Sequence, residues 1–191
     1  MMQQVGLLHW DREPFRFDHA CDIGKTARKV CVAYSDTVMN KELCVHADVH
    51  NYLTRVARNK VAELMKEGEE SKEVKHAKML EWLLEHPTDC FDAKQQVPCL
   101  VHGRCQMLPS DAADGDQQRR VRVHFAGVTC NAWSRAGARR GLAHSSETAH
   151  NVWIAKRKAL ALLAIEDVCF VECVEGYDIE SKFVRPLADT H

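Results

Sequence analysis

Apolar and polar positions in this chain group into short runs and helical stripes that alternate. Phe15 to Cys21 is a short apolar run that ends at Asp22, and Gly24 and a helical stretch from Lys25 to Tyr34 follow it. Leu43 to Ala47 is a second such run, closed by Asp48. Strand, helix and strand in this order, each strand closed by an acid, predict a parallel pair with its ligand edge at the carboxyl ends. Asp at a strand end is also a common turn former or helix cap. From Asn51 to His86 the spacing becomes helical. Val56, Val61, Leu64 and Met65 form one stripe, and Val74, Met79, Leu80, Leu83 and Leu84 form another. Gly68 to Ser71 is read as the break of a helical hairpin and Pro87 as its stop.

Thr88 to Pro109 reads as a loop, and Ser110 to Gln118 as a polar linker. Val121, Val123, Phe125 and Val128 then mark a strand entering a core, and the loop after it is rich in Gly and Arg. Ser145 or Ser146 can cap a helix whose inner face carries Ala149, Val152, Trp153, Ala159, Leu160 and Leu163. On that helix Lys156, Arg157 and Lys158 are expected to face water. Val168 to Val171 is a further buried strand, ending at Glu172.

Composition adds limits to this pattern. The 191 residues are 46% hydrophobic and 28% charged, enough for a real core. No run is long enough to span a membrane, and the first residues lack the order of a signal peptide, so an intracellular protein is expected. Nine cysteines are then expected as reduced thiols, without a disulfide framework. Net charge is −1, yet six arginines (119, 120, 122, 135, 139 and 140) and no acid lie between Arg119 and Arg140. Such an island is either a solvated face or a surface for phosphate.

Cys130 lies inside that island, where the strand gives way to the loop. It is either one more buried thiol or a nucleophile held by a rigid element and open to a ligand. If the helix is a crossover between parallel strands, Cys130 and Glu172 face one cleft. Cys90, Cys99, His102 and Cys105 have the spacing C-x8-C-x2-H-x2-C, which could in principle build a tetrahedral zinc site. The usual paired C-x2-C is missing, so no metal ligand is assigned and the cysteines are read as packing under a lid.

The segment GVTCNAWSRAGARRGL around Cys130 resembles the catalytic Pro-Cys-Gln segment of DNA (cytosine-5) methyltransferases. FVECVEG around Glu172 resembles that family's Glu-Asn-Val segment. FDHACDIG and CVHADV are similar to its two strands whose acids hold S-adenosylmethionine. The wording, CLVHGRCQ included, is similar to methyltransferase-like sequences of dinoflagellates. The resemblance implies an α/β fold with a Rossmann-like methyltransferase core, incomplete, over residues 15–191. Residues 51–86 would be a helical insertion, 88–118 a cysteine-containing loop and linker, and 1–14 an irregular start.

It further implies Cys130 as nucleophile, Glu172 on the target base, and Asp22 and Asp48 on the cofactor S-adenosylmethionine. Ser134, Arg139 and Arg140 would contact the DNA from which a cytosine is flipped. A nuclear or other intracellular location would follow. Thr129, Asn131 and Cys173 stand where the family has Pro, Gln and Asn. Residues 1–14 lack the Phe-x-Gly-x-Gly loop, and nothing after Val174 resembles a target-recognition domain. A divergent or truncated enzyme, completed by a partner protein, is one expectation. A catalytically silent module that binds nucleic acid or a partner is another, and a zinc-stabilised interaction domain built on the Cys90 to Cys105 loop is a third.

Overall fold

The computed structural model describes residues 19–66, 68–107, 123–127, 143–163, 166, 168–173 and 175–190. The chain divides into two units, Met1–Asp48 with Val97–Cys105, and Val49–Gln96 with Gln106–His191. The described residues make a mixed α/β structure with three two-stranded sheets.

In the first unit β1 (His19–Cys21), α1 (Lys25–Thr37) and β2 (Cys44–His46) follow the expected order. β1 and β2 pair in parallel, His19 opposite Cys44 and Cys21 opposite His46. Parallel neighbours need a crossover, and α1 supplies it. The return is fixed by the Ser35 hydroxyl, which donates to the Leu43 carbonyl at 2.9 Å. Asn40 and Lys41 reverse the chain with φ of 46° and 65°, a left-handed conformation that Asn tolerates better than most residues.

Where the sequence pattern gives a loop, β3 (Gln96–Cys99) and β4 (Gly103–Gln106) pair with each other. Val97 and Cys99 are buried while Gln96 and Pro98 are exposed, the period of two that a half-buried strand requires. Pro98 and the brevity of both strands hide this pattern, since proline is admitted only where no ladder N–H is needed. Gly103 carries the tight connection at φ +76°, where a side chain would strain the backbone. The Leu100 N–H donates to the Val45 carbonyl at 2.8 Å, and His46 Nδ1 meets the Pro98 carbonyl at 2.9 Å. Both bonds tie the hairpin to β2.

The second unit opens with a 3₁₀ turn, Val49–Tyr52, and α2 (Arg55–Leu64) and α3 (Lys72–Glu85) form the expected helical pair. Ser71 accepts from the Val74 N–H at 3.4 Å as the cap of α3. The stripes differ in detail from the pattern. Ala57 and Val61 are buried on α2, and His76, Met79 and Leu83 on α3, while Val56 and Val74 are exposed. Pro87 begins a short helix, α4 (Pro87–Cys90), rather than ending the region. Its missing N–H costs nothing at a first helical position.

Thr54 caps α2 by accepting from the Ala57 N–H at 3.2 Å, and its hydroxyl donates to the Asp89 carbonyl at 2.9 Å. Thr54→Ala removes both bonds. We expect a loss of about 1–2 kcal/mol, measured as the shift of the urea midpoint at constant slope.

α5 (Ser146–Leu162) is the centre of this unit, buried at Val152, Ile154, Ala155, Ala159 and Leu160. Contrary to expectation, Lys156 and Arg157 do not face water; they are 7% and 3% exposed. The Lys156 ammonium lies 3.2 Å from the centre of the Tyr52 ring, and Arg157 is ion-paired with buried Glu166. Helical periodicity assigns a side by residue type, whereas a buried cation is decided by partners distant in sequence. β5 (Val123–Gly127) and β6 (Val168–Glu172) flank α5 in the chain and pair in parallel, and a π turn at Glu180–Val184 leads into α6 (Arg185–Leu187). Among the described residues no helix is long and apolar enough to cross a membrane.

Candidate functional site

Three places carry the chemistry singled out from the sequence. The first is the carboxyl end of the β5–β6 pair. Its register sets Phe125 opposite Phe170 and Gly127 opposite Glu172. The two phenyl rings stack at 5.0 Å and stay about half exposed. Glu172 is exposed, and a methyl group placed on Gly127 would lie 3.5 Å from its Oε2. Glycine therefore leaves the floor beside the carboxylate open. Cys130 follows Gly127 by three positions in the sequence. Cys130, Ser134, Arg139 and Arg140 lie outside the described residues, so the expected Cys–Glu pair is represented by Glu172 alone.

Beneath this edge, the Trp153 indole N–H donates to His124 Nε2 at 2.9 Å. Burial, with Arg157 and Lys156 nearby, holds the His124 imidazole down at about 2, so it is neutral. Burial and then Glu166 push the Cys169 thiol on β6 up to about 12, which disfavours its thiolate.

The second place is the carboxyl end of the β1–β2 pair. Asp22 directly follows β1, and Asp48 lies two residues beyond β2. Since the strands are parallel, both acids leave at the same edge. Asp22 Oδ1 accepts from the Gly24 N–H at 2.5 Å, a local turn at the start of α1. Its other carboxylate oxygen is on an exposed residue. The Arg28 guanidinium reaches the Ala47 carbonyl at 3.5 Å, just before Asp48.

The third place was only half visible in the sequence. Cys44 at the start of β2, Cys99 at the end of β3, His102 in the connection and Cys105 in β4 converge, with their ligand atoms all within 4.8 Å of one another. His102 Nδ1 is 3.2 Å from Cys105 Sγ, 3.4 Å from Cys99 Sγ and 3.6 Å from Cys44 Sγ. Cys44 and Cys105 sulfurs are 3.3 Å apart. His102 Nε2 lies 2.6 Å from the Lys41 carbonyl. A carbonyl only accepts, so Nε2 carries the proton and Nδ1 turns its lone pair toward the three sulfurs.

Burial raises the Cys99 thiol, but N–H groups of His102, Val101 and Val45 and the Cys105 side chain outweigh it and bring Cys99 down to about 7. Burial and the neighbouring sulfurs drive Cys105 upward. Cys90, grouped with this set by sequence spacing, is not one of the four. It belongs to the other unit, where burial and then Asp89 push its thiol up to about 12. Cys44, the member that spacing missed, lies 55 positions before Cys99, and no local motif marks it.

Set against models of known families, curated proteins and solved structures, the chain matches none of them.

Proposed function

We propose that this chain is a DNA (cytosine-5) methyltransferase-like module with a Rossmann-like core, in which Cys130 is the nucleophile and Glu172 the acid that steadies the target ring. The observation that supports the reading best is the in-register parallel pairing of β5 and β6. It sets Gly127, three positions before Cys130 in the sequence, opposite Glu172 at the carboxyl end of adjacent strands.

The chemistry follows from those two groups. The Cys130 thiolate adds to C6 of an extruded cytosine, forming a C–S bond and placing negative charge on the ring. Glu172 donates a hydrogen bond at N3 and accepts one from the exocyclic amine, which holds that charge. S-adenosylmethionine, when bound, supplies the methyl group that C5 takes up. Loss of the C5 proton to a base then expels the cysteine and restores the ring. Asp22 and Asp48 suit the ribose and adenine of such a cofactor, because both acids stand at one edge of a parallel pair. Arg139 and Arg140, with Ser134, would hold DNA phosphates, and a partner protein could supply target recognition. A nuclear location fits this substrate.

The test uses DNA containing 5-fluorocytosine, whose C5 fluorine cannot leave as a proton. In the presence of S-adenosylmethionine we expect a denaturant-stable protein–DNA adduct. Cys130→Ser should abolish it, and Glu172→Gln should slow it by about 100-fold or more. DNA binding without any adduct would replace the enzyme by a silent binding module.

A further inference from the structure

We propose that Cys44, Cys99, His102 and Cys105 form a structural zinc site that holds the β3–β4 hairpin against β2. It does not depend on the methyltransferase reading.

Three observations carry it. The first is geometry. Ideal tetrahedral zinc, with bonds of about 2.3 Å to sulfur and 2.0–2.1 Å to nitrogen, sets its sulfurs about 3.8 Å apart and nitrogen about 3.5 Å from sulfur. The nitrogen-to-sulfur distances here are 3.2, 3.4 and 3.6 Å, and the Cys44 and Cys105 sulfurs, at 3.3 Å, would move apart by about half an ångström to take the ion. The second is valence. One imidazole lone pair faces three sulfurs, more than it can satisfy as a hydrogen-bond acceptor, whereas a cation shared by all four atoms satisfies every one. The Lys41 carbonyl on the far nitrogen of His102 is the outer partner that fixes a metal-bound histidine in its tautomer.

The third is need. Among the described residues of the first unit, the buried apolar side chains are Leu43, Val45, Val97 and Cys99. A cross-link among these few side chains adds to what their burial supplies. Cys44 comes from β2 and the other ligands from the hairpin, so one ion would close a long loop.

Soft thiolates with one imidazole in a tetrahedral set select zinc over magnesium or calcium. Four protein ligands leave no open position, which makes the site structural rather than catalytic. On binding, three thiols release three protons to solvent and histidine stays neutral, so the filled site carries a net charge of −1.

The full-length protein, purified without chelator, should contain one zinc per chain. Cobalt(II) added to stripped protein should give the intense absorption of tetrahedral thiolate coordination. Cys44→Ser, Cys99→Ser and His102→Ala should each reduce bound zinc at least tenfold. Cys31→Ser, a cysteine of the same unit outside the cluster, should retain it. His102→Cys, which restores a fourth ligand, should regain zinc with an altered cobalt spectrum, separating ligation from general misfolding. The proposal is overturned if the folded wild-type protein takes up neither metal. It is equally overturned if zinc survives Cys44→Ser but is lost in Cys90→Ser, or survives His102→Ala but is lost in His19→Ala, a histidine that lies near Cys44 together with His46.

Discussion

Acidification from pH 7 to pH 5 is expected to cost the second unit about 4 kcal/mol of stability, through two histidines that it holds neutral. His124 accepts from the Trp153 indole, and its ring centre lies 5.9 Å from that of Trp153. His150, on the same helix as Trp153, meets the Tyr177 hydroxyl at 2.9 Å. Burial lowers His150 to about 4, Glu147 works against it, and the Lys182 charge adds to the lowering. Burial, then Arg157 and Lys156, lower His124 to about 2.

A histidine whose folded value lies below its unfolded one, about 6.5, binds more protons unfolded than folded in the interval between. Stability is therefore complete above pH 6.5 and falls as the pH drops toward the folded values. The slope is about 1.4 kcal/mol per pH unit for each histidine. Urea unfolding at pH 7 and pH 5, followed by tryptophan fluorescence, measures the loss. His124→Gln keeps an acceptor for Trp153 without a titrating ring and should remove about half of it. Equal stability at the two pH values would show that neither imidazole is held neutral by the fold.

The second large effect is expected from Lys182→Met. Lys182 Nζ is 2.6 Å from Glu147 Oε2, with side-chain exposures of 10% and 2%. The pair joins the first turn of α5 to the π turn before α6. A buried pair adds little over an apolar pair of the same shape, because removing both charges from water consumes the Coulomb gain. Removing one partner is different. It leaves the Glu147 carboxylate desolvated and alone, at about 3–5 kcal/mol. A fall in Tm of about 10 °C or more should follow. The double replacement Glu147→Gln with Lys182→Met should recover most of that loss, and thermal melts of the four members of the cycle provide the check. If the double variant is as unstable as Lys182→Met, packing of the lysine stem rather than charge accounts for the effect.

How much of this was legible depended on the range of the interactions. The β1–α1–β2 order was readable because an acid follows each strand within two residues and Gly24 marks the turn into the helix, signals confined to a few neighbours. The α2–α3 pair was readable from Ser71 and the glycine break, although the buried stripe settled on Ala57 rather than Val56. The β3–β4 hairpin was not, since Pro98 and Gly103 signal a loop until Val97 and Cys99 are seen to be buried on one face. The metal cluster was half legible. Cys99, His102 and Cys105 carry a local spacing, whereas Cys44 joins them only through the hydrogen bonds that hang the hairpin on β2. The parallel ends at Glu172 followed from the strand–helix–strand order, which constrains topology even without side-chain detail.

The inward turn of Lys156 and Arg157 changes what a binding partner can read on this chain. Lys-Arg-Lys on a helix has the form of a short basic address for a polyanion or a transport receptor. In the folded protein one of these charges is spent on the Tyr52 ring and the next on Glu166. Lys158 is then the one member of the triplet with partial access to solvent. Whatever recognises clustered positive charge on this molecule must look for it elsewhere.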